Sequence, residues 1–550
     1  MVDTVIQGGL VIDGSGSEPY EGDIGITGEK IVFIKKTFPS AHSGPEVNAK
    51  KKIDAAGMVV CPGFIDTHAH SEFTLLADPR AEGKVSQGIT TEINGNCGLS
   101  AAPLLGEALE RREDDLREFN IRERWKSFRE YFRLLHERGI ALNFLTLAGH
   151  GNIRASVLGY EDREATDKEK KRMCRLLAQS LGEGAIGLST GLIYPPGVYS
   201  DTAELIELSR VMSIPHKTST GSRRAGKGKG ISGIYTTHMR SEGDALIESI
   251  RETLTIGKEA DVPIHISHIK TSGEKNWHKG DEAVACLENA RKRGLRVTAD
   301  RYPYIAASTD LDTILPAWTY EGGNQEELRR IKTREIRERI RKEILHAHPE
   351  KRYWDSIRIS TVASQKNVWM EGKSIAELAG MKRVAPVDML FRILREEKLR
   401  AGAIFLSMHE ENLKKFLSLP YVMIGTDSSA RSYSGPTCKG KPHPRGFGSF
   451  PRFLGEYVRD KGVLSIQEAV HRITMLPART FGIQDRGVLK KGAFADMVLL
   501  QYQKIRDRAT FDEPFLKPEG IQVVMVNGTP VVWDGEITRH KPGRVLKYER

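Results

Sequence analysis

The sequence predicts a (β/α)8 TIM barrel that carries a small β-sandwich made from the two ends of the chain. Three observations point there. Eight short apolar, β-branched runs are separated mostly by amphipathic helical stretches. Strand-rich segments at both ends are each too small to bury a core alone. Several of the eight runs end in side chains of metal-ligand type, where a barrel gathers its functional groups.

The elements follow in order. Thr4 to Asp13 alternates toward a Gly-rich turn, and Ile24 to Ile34 holds the turn Thr27-Gly28-Glu29-Lys30 between two apolar runs. Near the other end, Val523 to Trp533 reads as a hairpin, with Asn527-Gly528 supplying the positive φ of a tight turn. Residues 1–58 and 482–550 are therefore expected to pair as one composite β-sandwich, with residues 59–481 forming the barrel. The buried-strand runs are Met58–Ile65, Ile89–Ile93, Leu142–Leu147, Ala185–Leu188, Ile234–Thr236, Val262–Ile266, Leu295–Thr298 and Val422–Ile424, with helices such as Asp244–Ala260 and Asp281–Arg293 between them. The seventh gap, from Thr298 to Val422, is roughly 120 residues, several times an ordinary connection. It predicts an inserted helical segment, about 320–420, over the barrel mouth as a candidate lid. Residues 214–230, rich in Gly, Ser and Lys, read as a flexible basic loop before the fifth strand.

The formal net charge of +11 invites a nucleic-acid reading. Much of the excess is local, however. It sits at Arg223, Arg224, Lys227 and Lys229, and in the run from Arg329 to Lys342, where Glu335 and Glu338 make a solvated helix of mixed charge. No helix-turn-helix, paired zinc-finger cysteines or aromatic RNA-binding motif is present, so no nucleic-acid partner is expected. No apolar stretch approaches the roughly 20 residues that span a bilayer, so no membrane partner is expected either. Met1 to Ile12 lacks a basic leader and apolar core, and the cysteines, Cys61, Cys97, Cys174, Cys286 and Cys438, are sparse and odd in number. Together these predict a soluble, cytoplasmic protein. No motif specifies an oligomeric state.

His68 and His70 end the first strand in FIDTHAH, Cys97 follows the second in EINGNCG, His238 ends the fifth in IYTTHMR and His268 the sixth in IHISHIK. A spacing of two puts His68 and His70 on one side of an extended backbone, so both imidazoles can face one ion. Zinc favours imidazole and thiolate ligands and leaves one position open at a catalytic site. A lone histidine is more often a satisfied core residue; five such residues at strand ends predict a zinc centre. Asp427, ending the eighth strand in IGTDSS, suits a general base that takes a proton from water and passes it to a leaving group. It also suits a helix cap before Ser428.

VVCPGFIDTHAH, the late Gly-Thr-Asp and GAFADMVLL (Gly492 to Leu500) together resemble the amidohydrolase superfamily. NGNCGLSAAP, GLSTGLIYPPG, THMRSEGD, ISHIKTSG, DRYPYIAAST, IGTDSSA and KPHPRGFGSFPR resemble, more narrowly, its N-acyl-D-amino-acid deacylases, the D-aminoacylase family. The likeness runs from about Gly8 to about Gly535, with its motifs in the same order. It implies zinc-dependent hydrolysis of the amide bond of a small N-acyl-D-amino acid. It further implies one tightly bound zinc on Cys97, His238 and His268, and a second, weaker site on His68 and His70 bridged by the same cysteine. Asp427 is then the catalytic acid/base and Tyr194 polarises the carbonyl, while Lys270, Tyr302, Ser308 and Arg445 bind the substrate carboxylate. The preference for D substrates rests on this likeness alone. Where the superfamily often carries a metal-bridging lysine on the fourth strand, this chain has Ser189-Thr190-Gly191, in keeping with Cys97 in that role. The stretch 217–230 departs from the likeness just before His238 and would bear on access. The alternative within the superfamily is a dihydropyrimidinase, dihydroorotase or isoaspartyl dipeptidase; outside it, a non-catalytic binding module without zinc.

Overall fold

A computed structural model describes residues 2–37, 48–213 and 233–547; the basic stretch 214–230 lies outside the described residues. Eight parallel strands form the barrel: Phe64–Asp66, Ile89–Asn94, Asn143–Thr146, Gly187–Gly191, Ile234–His238, Ile264–Ile266, Val297–Arg301 and Val422–Ile424. Ladders join the first three strands and, separately, the last five. The Ile186 amide closes one gap by donating to Thr146 O at 2.9 Å. The other gap, between the eighth strand and the first, is closed by Thr67 N to Ile424 O at 3.5 Å and a bridge from Ala69 to Ser428. The barrel of the sequence reading is thus present, with its ligand-type residues at the C-terminal ends of its strands.

The apolar run Met58–Ile65 is divided between two sheets: Val59–Pro62 joins the terminal sheet, and only Phe64–Asp66 enters the barrel. Gly63 permits the crossing, because a Cβ there would lie 2.2 Å from Thr90 Oγ1. Hydrophobicity alone does not reveal such a division, since both halves are buried.

Strands from the two chain ends share one nine-stranded sheet. It runs Glu536–Ile537, Thr529–Trp533, Ile521–Val526, Met497–Leu500, Val59–Pro62, Val2–Val11, Tyr20–Thr27, Lys30–Lys36, with Ala49–Asp54 also pairing with Val2–Val11. The sheet curls on itself, Ile31 N reaching Ala493 O at 2.9 Å and Ala495 N reaching Glu29 O at 2.8 Å. Ile6, Ile24, Ile31, Met497, Leu499 and Val523 fill the enclosed core.

The long insert differs from a purely helical lid. Its helices Gly323–Lys332, Arg334–Ala347, Ile375–Lys382 and Pro386–Glu396 pack with a three-stranded antiparallel sheet ordered Ala307–Asp310, Ala401–Phe405, Ile357–Val362. The apolar, β-branched runs at 357–362 and 401–405 explain the strands. Leu311, Ile331, Ile340, Ile357, Leu390 and Ala403 belong to a core of its own. In the basic run, Arg339 pairs with Glu343 at 2.9 Å and Arg341 with Glu338 at 3.2 Å. Among the described residues no helix is long and apolar enough to cross a membrane.

Asp496, in GAFADMVLL, ties the terminal sheet to the barrel. Its buried carboxylate pairs with Arg486 and accepts from Asn527 N at 2.7 Å and from Asn143 Nδ2, on the third barrel strand, at 3.3 Å. Replacing it with alanine strands the Arg486 guanidinium in the interior. The expected outcome for Asp496→Ala is a loss of about 3–5 kcal/mol of stability, measured by urea denaturation; a midpoint like that of the parent would refute this role.

Candidate active site

The side chains singled out in the sequence meet at the C-terminal mouth of the barrel. His68 and His70 follow the first strand, Cys97 the second, His268 the sixth and Asp427 the eighth, while His238 is the last residue of the fifth. Three of them hold left-handed backbone: Cys97 (φ 53°), His268 (φ 36°) and Asp427 (φ 49°). L-residues with a β-carbon adopt that region at a cost of about 1–2 kcal/mol each, so the surrounding hydrogen bonds must hold it. At two of the three they do: Asp427 N donates to His68 O at 2.8 Å, and His268 N to Asp300 Oδ1 at 2.6 Å.

The donor atoms lie close together. Cys97 Sγ is 3.3 Å from His68 Nε2 and 3.5 Å from His268 Nε2, and Asp427 Oδ1 is 3.3 Å from His70 Nε2 and 3.6 Å from His68 Nε2. Three sets place all their ligand atoms within 4.8 Å of one another: His68, Cys97 and His268; His68, His70 and Asp427; and His238, Glu242 and His268. Both ring nitrogens of His238 are buried without a hydrogen-bond partner among the described residues. A buried imidazole left so is costly unless something else takes its lone pair. Thiolate, imidazole and carboxylate in this arrangement can hold a divalent metal.

Electrostatics favour charged forms here. Burial opposes ionisation of Cys97, but His68 and His268 hold the thiol well below its ordinary range. Burial likewise opposes charge on Asp427, and Arg445, with Nη1 2.9 Å from Oδ2, and His68 outweigh it. Burial and the Cys97 charge push Tyr194 upward, so its phenol stays protonated and able to donate. It meets Thr309 Oγ1 at 3.0 Å.

These groups open onto a cavity of about 1380 Å3 whose wall includes Tyr194, Lys270, Tyr302, Ser308 and Arg445. The Arg445 guanidinium lies 4.5 Å from the Tyr302 ring centre and donates to Ser308 O at 3.1 Å. Tyr302 Oη is buried and has no partner among the described residues. Two cations and an unspent phenol on one wall can receive a carboxylate. All eleven sequence candidates therefore come together, and none lies elsewhere.

Several partners of these residues were not singled out from the sequence. Asp300 Oδ2 accepts from His68 Nδ1 at 3.2 Å and His265 Nε2 at 2.8 Å. Glu242 faces His268, Lys270 and His238. Lys84, sealed from solvent, joins Asp66 (2.8 Å) and Glu92 (2.7 Å) behind the first strand. Asp300 and Glu242 stand inside the quoted motifs DRYPY and THMRSEGD, which was the available signal. Nothing in the sequence marks Lys84, a lysine in a short helical turn.

Comparison with known proteins is consistent across the chain. Residues 51–532 match the model of the amidohydrolase family. The D-aminoacylase of Alcaligenes xylosoxydans xylosoxydans is 34% identical, over 99% of this chain and 97% of that protein. An N-acyl-D-glutamate deacylase of the same organism is 34% identical, over 99% and 96%. Among solved structures, the N-acyl-D-glutamate deacylase of Bordetella bronchiseptica, complexed with zinc and a phosphonate mimic of the tetrahedral intermediate, superposes with a TM-score of 0.79. It is 32% identical, and the match covers 100% of both chains.

A lowered thiol pKa makes Cys97 a thiolate at pH values where an ordinary cysteine is protonated. Cys174, by contrast, is half-buried and pushed up to about 11 by burial. In chelator-treated protein at pH 7, iodoacetamide is expected to modify Cys97 faster than Cys174 despite its deeper position, as read by peptide mass spectrometry. The reverse order would overturn the electrostatic account.

Proposed function

This chain belongs to the amidohydrolase family, and on that premise we propose that it hydrolyses the amide bond of N-acyl-D-amino acids, releasing a carboxylate and the free D-amino acid. One observation carries the reading: a thiolate, four imidazoles and a carboxylate converge beside a wall bearing Lys270, Tyr302 and Arg445. The donor set suits zinc, with Cys97, His238 and His268 as holders of a tightly bound ion and His68 and His70 as a weaker second site sharing Cys97. Bound there, zinc supplies a Lewis acid that polarises the scissile carbonyl and renders a water more acidic.

The chain's own residues do the rest. Lys270, Arg445, the Tyr302 phenol and Ser308 receive the substrate carboxylate and set the amide over Asp427. The Asp427 carboxylate takes a proton from water as its oxygen adds to the carbonyl carbon. Tyr194, kept protonated, donates to the oxygen where negative charge develops. Asp427 then delivers the proton to the amide nitrogen as the C–N bond breaks, so the carboxylate ends as it began. A cytoplasmic location accords with five cysteines that form no disulfide.

The cyclic-amide alternative is less well supported. The fourth strand has no room for a bridging lysine at its end: a Cβ on Gly191 would lie 2.1 Å from Cys97 O, and Ser189 Oγ receives Gly98 N at 3.1 Å. The strand is packed directly against the cysteine loop.

The test is zinc content together with amine release from paired N-acetyl-D- and N-acetyl-L-methionine. Zinc with release from the D series is the expected result; no release from either series together with ring opening of dihydrouracil to its ureido acid would overturn the proposal. Asp427→Asn is expected to keep zinc and to lose turnover by about 10²–10⁴-fold, and near-parental turnover would remove Asp427 from the mechanism.

A further inference from the structure

Glu242 stands four residues beyond His238, on the loop after the fifth strand, and the mechanism above does not use it. Its loop is tied to the next one by Ser272 N donating to Glu242 O at 2.7 Å. The carboxylate lines the cavity yet is largely enclosed. Oε1 lies 2.8 Å from His268 Nδ1 and also pairs with Lys270 Nζ, while Oε2 lies 3.6 Å from His238 Nε2, beyond hydrogen-bond range. Lys270 Nζ is itself 2.8 Å from His268 Nδ1.

These distances set up a competition for one nitrogen. If Lys270 donates to Nδ1, neutral His268 carries its proton on Nε2, the atom that faces Cys97 Sγ, and has no lone pair there for an ion. If Glu242 accepts from Nδ1–H, the Nε2 lone pair is free on the Cys97 side. A carboxylate between an ammonium and an imidazole satisfies both donors at once, so the ammonium need not use the ring as its acceptor.

We propose that Glu242 is a positioning residue that fixes His268 in the tautomer with Nε2 unprotonated by drawing both the Nδ1 proton and the Lys270 ammonium onto its own carboxylate. The inference rests on the reading of Cys97, His238 and His268 as the holders of zinc, and it adds a function for a fourth residue. It also links two parts of the site: the same carboxylate that orients a ligand histidine anchors a lysine of the substrate wall. In Glu242→Gln the amide has one acceptor oxygen for two donors and offers its own N–H group nearby, which returns Lys270 to Nδ1.

The test is zinc affinity, by competition with a chromophoric chelator, in the parent, E242Q, K270M and E242Q/K270M, with thermal unfolding of each metal-free protein to show that it is folded. Partners of ligand histidines typically contribute about 10–100-fold to metal affinity, and a loss of that size is expected in E242Q. K270M is expected to keep parental affinity because Glu242 still holds Nδ1–H. The double variant is expected to recover most of the loss because the competing donor is gone. A merely structural role for Glu242 would give a loss that K270M does not reverse. Parental affinity in E242Q, a loss in K270M as large as that in E242Q, or no recovery in the double variant each overturns the proposal. Failure of the parent to bind zinc would instead overturn the zinc reading beneath it.

Discussion

The site depends on how the barrel is closed. The first and eighth strands meet through few backbone hydrogen bonds, and the seam is secured by side chains. Asp66 Oδ1 accepts from His68 N at 3.2 Å and Thr426 N at 2.8 Å, and its Oδ2 accepts from Thr426 Oγ1 at 2.7 Å. Lys84 Nζ completes the knot by donating to Asp66, to Thr426 Oγ1 at 2.9 Å and to Ser428 O at 2.9 Å. His68, His70 and Asp427 hang from these few residues. A buried ion pair is a weak stabiliser compared with well-packed apolar groups, so its use here is better explained by direction: charged hydrogen bonds hold two strand ends in one register.

The same economy recurs above the seam. Three charged groups at the cavity floor have an opposite partner in contact: His68 with Asp300, Arg445 with Asp427, Lys270 with Glu242. In a low-dielectric cleft an unpaired charge is expensive, and pairing lets the chain concentrate cations and anions within a few ångströms. On the proposed reading, a substrate carboxylate entering the wall would compete with Asp427 and Glu242 for Arg445 and Lys270. Binding would then be an exchange of partners, favouring a ligand that can engage both cations together.

The barrel and the convergence of the candidate ligand residues at its mouth were legible because both obey short-range rules. Parallel buried strands show as apolar runs, and side chains just beyond them face a common mouth whatever the loops do. The quoted motifs located Tyr194, Lys270, Tyr302, Ser308 and Arg445, which no periodicity would have distinguished. Two kinds of information were hidden. The division of Met58–Ile65 between two sheets depends on what packs around Gly63, a tertiary contact with no local signature. The buried ion network of Lys84, Asp66 and Glu92 depends on partners in separate segments, and a lysine flanked by Gly83 and Val85 reads like any surface turn. The strands of the insert were missed because its helices dominate the composition of that segment, leaving two five- or six-residue runs in the background.

The insert's separate hydrophobic core has a consequence for how such proteins diverge. Nearly all the residues that stabilise it lie between Leu311 and Leu399–Ala403, so substitutions there are absorbed without repacking the barrel. Yet its first strand delivers Ser308 and Thr309 to the cavity, and Thr309 meets the phenol of Tyr194. One face of the cleft is therefore an exchangeable cassette on a fixed chemical chassis. Selection can redraw what the cleft admits by revising the cassette, while the strand ends that carry the candidate metal ligands stay under a different and stricter constraint.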